Sequence, residues 1–210
     1  MSRNIIVCFP GGAAGHLVGA IISFITTGKK FAIEDNGSVH GFQCTRYLDG
    51  RLLDLSADSM IQEQVDISRL PDFDLAIAHF RNIAQLQSLG KTIVYVDIDS
   101  DDVEVVSKRL HTKMSALMTR EVYDILKGTD WPDYDGIADA DLLDLKQIRI
   151  DFLQKWFYTI PVNQQNIFRL PFKEITDIKW VDRLTTFLNI PGYDRDFIIN
   201  ILDEYKQKQL

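Results

Sequence analysis

Ile5-Ile6-Val7-Cys8-Phe9, then Pro10-Gly11-Gly12-Ala13-Ala14-Gly15-His16, then Leu17-Val18-Gly19-Ala20-Ile21-Ile22-Ser23-Phe24-Ile25: this stretch decides the fold class. Its first part is a short β-branched run stopped by Pro-Gly-Gly, the pattern of a strand buried on both faces. Residues 17–25 are apolar all round, so a helix there is sandwiched between layers. Gly28 stands where such a helix would end. Strand, small-residue loop and buried helix together open an α/β nucleotide-binding unit.

The loop holds three glycines and two alanines in five consecutive positions, 11–15. Residues with little or no side chain let backbone N–H groups converge on one point, and the helix N-terminus adds its partial positive charge there. Gly11, Gly12, Ala13, Ala14, Gly15 and His16 are therefore the candidate seat for a phosphate or sulfate. The competing reading is a tight strand-to-helix turn whose small residues only permit close packing. His16 suits an anion donor in the first turn and a solvated helix start equally well. The loop is not a Walker A motif, which needs Gly, four residues, then Gly-Lys-Ser/Thr. Counting back from Gly15 puts Pro10 at the first glycine, and His16-Leu17 replaces Lys-Ser/Thr. Without the lysine and the magnesium-holding hydroxyl, ordinary nucleoside triphosphate hydrolysis is poorly supported.

Further along, Val39 to Tyr47 reads as an extended piece and Ser59 to Ser68 as a short helix before Pro71. Leu75-Ala76-Ile77-Ala78-His79-Phe80 is a second buried strand, and Thr92-Ile93-Val94-Tyr95-Val96 is the clearest strand of all, ending at Asp97. The next helix takes Asp101 as N-cap and Glu104 as its capping-box partner, with Val103, Val106 and Leu110 on one face. Residues 114–127 and 140–160 read as helices. Ile167-Phe168-Arg169-Leu170 is a last strand closed by Pro171. Asp177 then caps a helix carrying Trp180, Leu184, Phe187 and Leu188, and Asp194 opens a final one to about Lys208. The helical aromatics Phe152, Trp156, Phe157, Trp180 and Phe187 recur at core-facing spacing. Strands alternating with helices predict a parallel sheet with right-handed crossovers, in three layers. With no repeat and no linker-like stretch, one domain over 1–210 is expected.

Charge and composition narrow the function. Twenty-three basic against 30 acidic residues give −7, which argues against unspecific grip on nucleic acid or anionic lipid. Any bound anion must therefore be held by a local site. Cys8 and Cys44, the only cysteines, supply neither a disulfide framework nor a zinc spacing; Cys8 reads as a small buried hydrophobe. Residues 4–28 carry no charge, but Pro10-Gly11-Gly12 cuts the run too early for a signal-peptide core. The part that remains falls short of the ~20 residues a spanning helix needs. A soluble, cytoplasmic protein is the expectation.

The layout resembles the P-loop sulfotransferases, which move a sulfuryl group from 3′-phosphoadenosine 5′-phosphosulfate to an acceptor hydroxyl or amine. Three stretches carry the resemblance. Phe9-Pro10 with its small residues is similar to the family's 5′-phosphosulfate loop, and Leu75 to Phe80 to the strand whose end bears the catalytic histidine in many members. The tail is similar to the family's "Tyr-Glu-Asp-Leu … Phe-Leu-Gly" stretch: Ile167-Phe168-Arg169-Leu170-Pro171-Phe172-Lys173-Glu174-Ile175, then Val181-Asp182-Arg183-Leu184-Thr185-Thr186-Phe187-Leu188-Asn189-Ile190. The resemblance implies His79 as the base and loop residues 11–16 as the donor's cradle, with no metal required. It also implies a serine on the donor's 3′-phosphate, for which Ser107 is the candidate, and a small-molecule, carbohydrate or protein acceptor shaped by a helical segment near 114–160. The departures are specific. Gly11 stands where the family has its loop lysine, and Asp99 stands eight residues before Ser107 where the family has arginine. Asp97, Asp99, Asp101 and Asp102 would repel a phosphate, by about 1 kcal/mol per close pair even in water.

Other readings remain open at this stage. His79 suits a histidine packed at a strand end as well as a base titrating near ~6.5 when unperturbed. Arg81 and Arg169 suit anion partners or surface ion pairs. Asp97, at a strand end, suits the magnesium aspartate of a P-loop phosphotransferase, and a non-catalytic binding protein keeping the fold is the third possibility. Asp97, Asp99 and Asp101 fail as an EF-hand, because Asp102 and Lys108 occupy the glycine and glutamate places. The acidic run from Asp130 to Asp144 reads as solvated loop and helix starts, with Trp131 and Tyr134 as anchors.

Overall fold

The computed structural model describes residues 4–9, 13–35, 37–40, 42, 45–48, 51–54, 61–64, 75–79, 90–102, 105–106, 109 and 166–209. In chain order these form β1 (Ile5–Cys8), α1 (Gly15–Thr27), β2 (Ala32–Ile33), β3 (Val39–His40), β4 (Thr45–Leu48), β5 (Arg51–Asp54) and β6 (Ile61–Gln64). There follow β7 (Leu75–His79), β8 (Thr92–Asp97), β9 (Ile167–Pro171), a 3-10 turn at Phe172–Glu174, α2 (Lys179–Phe187) and α3 (Arg195–Gln209).

The main sheet runs β6-β5-β4-β7-β1-β8-β9. From β4 to β9 every neighbouring pair is parallel, while β5 and β6 extend that edge as antiparallel strands. This is an α/β fold around a parallel sheet. Burial on both faces makes the central strands continuous apolar runs. Val7, Cys8, Ile93, Val94, Tyr95 and Val96 are all fully buried, although successive residues point to opposite faces. Each such large side chain removed from water contributes roughly 1.5–3 kcal/mol.

Helix α1 lies on the face that carries Val7 and Ile77, which are register partners. Ten of its thirteen residues are buried, as its all-round apolar sequence requires. A side chain at Gly19 would press on the Phe42 ring at 3.0 Å and on Ile77 at 3.1 Å, so glycine lets the helix settle onto β7. Gly28 ends the helix in the left-handed conformation (φ 74°), its N–H donating to Phe24 O at 2.7 Å. Phe24 stacks on Phe197 of α3 with ring centroids 4.5 Å apart, and Phe168 of β9 meets Phe187 of α2 at 5.5 Å. Trp180, wholly buried, donates its indole N–H to Ile175 O at 2.9 Å.

Val39 to Tyr47, read as extended, holds strand residues of two sheets: β3 pairs antiparallel with β2, and β4 pairs with β5 and β7. Two expectations need correction. Within 59–68, residues 61–64 are strand β6, because hairpin pairing with β5 outweighs the helix preference of Gln and Glu. The Asp101–Glu104 capping box falls partly outside the described residues. Just before it, Asp99 Oδ1 accepts the N–H of Asp101 and Asp102, and Asp102 Oδ2 accepts the N–H of Asp99, which closes the turn over 99–102. Phe187 is 36% exposed, because the last turn of α2 passes the edge of β9. Val106 is buried as expected, whereas Val103, Glu104, Leu110, Phe152, Trp156, Phe157 and the helices read over 114–127 and 140–160 lie outside the described residues. Among the described residues no helix is long and apolar enough to cross a membrane.

The turn from α2 to α3 is tied by Asp182. Its Oδ1 accepts the Tyr193 hydroxyl at 2.6 Å and its Oδ2 the Arg195 guanidinium at 3.3 Å. The tyrosine hydrogen bond is the main reason the carboxyl sits below its ordinary range; desolvation opposes it and Arg195 assists. Desolvation first, then Asp182, pushes the Tyr193 phenol upward, so it stays a donor at neutral pH. A depressed carboxylate stabilises the fold above its unfolded pKa of about 3.9, and that contribution is lost as pH falls through the folded value. Tyr193→Phe is therefore expected to destabilise by about 0.5–1 kcal/mol at pH 6, an exposed carboxylate keeping the figure low. Urea unfolding at pH 6 and pH 3 checks this: the gap should narrow at pH 3, and an equal gap at both would remove Asp182 as its origin.

Candidate functional site

Strand order and register fix where the described ends of β1, β7 and β8 stand relative to one another. Strand β1 sends the chain toward β4, and β8 sends it the other way toward β9, so the direction reverses between the adjacent strands β1 and β8. In open α/β sheets, ligands bind outside the carboxyl ends of the strands at such a reversal. Cys8 pairs with Ala78 and with Tyr95, which sets Phe9 level with His79 on one side and Val96 on the other. Asp97 and Pro171, also register partners, stand one step beyond. The loop after β1 therefore has His79 one strand away, about 4.8 Å in the hydrogen-bonding direction, and Asp97 at the neighbouring strand on the other side.

The N-terminus of α1 is built differently from an ordinary capped helix. Ala14, at the N-cap, is left-handed (φ 57°, ψ 24°) and offers no side-chain oxygen, and the first turn holds no acidic residue. The first intrahelical bond there runs from Val18 N–H to Ala14 O at 3.2 Å. A helix start whose own N-cap side chain and first turn supply no acceptor carries a partial positive charge that suits an anion.

Packing explains part of the same loop. A side chain at Gly15 would sit inside the Phe9 ring, which is itself buried, and Ala13 is fully buried. Gly15 is thus glycine because Phe9 lies against it. His16 is half-buried, edge-on to Phe9 with centroids 5.9 Å apart and to Phe42 at 6.4 Å. The close-packing reading holds for Ala13 and Gly15, while Ala14 and His16 are half-buried. Gly11 and Gly12 lie outside the described residues, as do Ser107, Arg81, Cys44 and the whole 114–160 segment. His79 is the last residue of β7, as the sequence predicts, and its imidazole lies outside the described residues.

On the β8 side the acidic cluster is neutralised in place. Arg169 donates through Nε and Nη2 to Asp97 Oδ2. That makes Arg169 an ion-pair partner of the very carboxylate read as a magnesium ligand. Lys173 reaches Asp99 Oδ2 at 3.3 Å. Burial pulls the Asp99 carboxyl up, yet Lys173 and the N–H groups of Asp101 and Asp102 together hold it below its ordinary range. Asp102 moves the other way, raised chiefly by desolvation and also by the Asp99 charge. Arg109 stacks over the Phe172 ring at 5.2 Å, adding a third cation near these strand ends. The repulsion expected from four adjacent aspartates is thereby much reduced. Sequence reasoning assigned no role to Phe42 or Lys173; an isolated aromatic and a surface lysine carry no local pattern that would mark them.

The class these observations define is an α/β protein built around a parallel sheet. No family model and no curated protein sequence matches the chain. Among solved structures it is similar to mouse sulfotransferase SULT7A1 complexed with PAP, at a TM-score of 0.48 and 13% identity. The match covers 97% of this chain and 63% of the mouse one. So distant a likeness carries no argument of its own, and the fold class rests on the strand order and registers above.

Proposed function

We propose that this protein is a sulfotransferase-like enzyme that transfers a sulfuryl group from 3′-phosphoadenosine 5′-phosphosulfate to an acceptor hydroxyl or amine. The observation that carries the reading is the carboxyl-edge row: an uncapped, acid-free helix start after β1, with the backbone of His79 one strand away. The donor, when bound, supplies an activated sulfuryl group. The chain's part is to hold the donor's charge, orient the acceptor and take its proton.

The residues present fit an anion at this edge. The α1 N-terminus offers amides and a partial positive charge, with no acidic residue in its own first turn. Gly11 replaces the family lysine, so more of the charge stabilisation falls to backbone groups and to His16. Asp97 and Asp99 are held by Arg169 and Lys173, which leaves the flank at β8 close to neutral. His79 is the proposed base, at a strand end beside the loop, where a proton acceptor and an anion seat serve the same substrate. Ser107 is the proposed contact for the 3′-phosphate. The phosphotransferase reading loses ground through the Asp97–Arg169 pair, since one of the two carboxylate oxygens already serves a guanidinium whose charge opposes a nearby magnesium ion.

Thermal unfolding tests the reading. With 3′-phosphoadenosine 5′-phosphate at 100 times its Kd and a chelator present, stabilisation should reach about 2.7 kcal/mol. A shift seen only with magnesium and a nucleoside triphosphate would transfer the assignment to a phosphotransferase. No shift with either would leave a binding protein of some other ligand.

A further inference from the structure

We draw no further inference here: the strongest candidate, the cluster of charged side chains at the carboxyl ends of β8 and β9 (Asp97 with Arg169, Asp99 with Lys173, and Arg109 on the Phe172 ring), carries nothing, because both carboxylates are already engaged by these cations and by backbone N–H groups and no observation there points to a ligand.

Discussion

Gly15→Ala should destabilise the protein by about 2–4 kcal/mol, against the usual direction for a helical glycine. In an ordinary helix this change stabilises by about 1 kcal/mol, because alanine loses less backbone entropy. Here the new methyl would occupy the space of the Phe9 ring. Overpacking costs about 1–3 kcal/mol, and displacing a buried phenylalanine adds about 1.5–3 more if the ring must leave altogether. A double-mutant cycle isolates the cause. In a Phe9→Ala background, itself weaker by about 3–5 kcal/mol, Gly15→Ala should be neutral or mildly stabilising. Urea unfolding of the four proteins reads the coupling directly. A stabilising Gly15→Ala in the wild-type background would mean that the ring does not sit on that residue.

The second large effect concerns chemistry. Replacing His79 by alanine should lower sulfuryl transfer by about 10²–10⁴-fold, the range a positioned general base contributes. Affinity for 3′-phosphoadenosine 5′-phosphate should stay nearly unchanged, because the donor's charge is assigned to the turn before α1. Equal turnover in the variant would reject His79 as base, whatever the fate of the anion site. Joint loss of turnover and donor-product binding would instead mark His79 as part of the seat.

The parallel core was legible because its strands are buried on both faces. Ile5 to Phe9, Leu75 to Phe80 and Thr92 to Val96 are mostly apolar runs, and they hold the strands Ile5–Cys8, Leu75–His79 and Thr92–Asp97. The helix from Leu17 was legible for the same reason, and its end through Gly28. What failed was the antiparallel edge. Ile61-Gln62-Glu63-Gln64 has helix-forming residues, and only its pairing with Arg51–Asp54 makes it a strand. A local signal was nevertheless present: Leu48 pairs with Arg51, leaving Asp49-Gly50 as a two-residue connection, a strong hairpin cue that propensity reading overlooked.

The site was less legible than the fold. Small residues at 11–15 are demanded both by an anion seat and by tight packing, and composition alone does not separate the two. Structure divides them residue by residue: Gly15 and Ala13 serve packing, while Ala14 takes the left-handed turn that starts an uncapped helix. The acidic stretch after β8 was misleading in the opposite sense. Its charges looked hostile to a phosphate, and the two cations that answer them, Arg169 and Lys173, come from 72 and 74 residues further along.

Backbone amide shifts give the sharpest reading of whether this helix start meets an anion. Titrating 3′-phosphoadenosine 5′-phosphate into the nitrogen-15-labelled protein, in chelator, should move the amides of Ala13 to Leu17 more than any in α2 or α3. Saturating ligand that leaves those five signals in place, or moves only distant ones, would contradict the account.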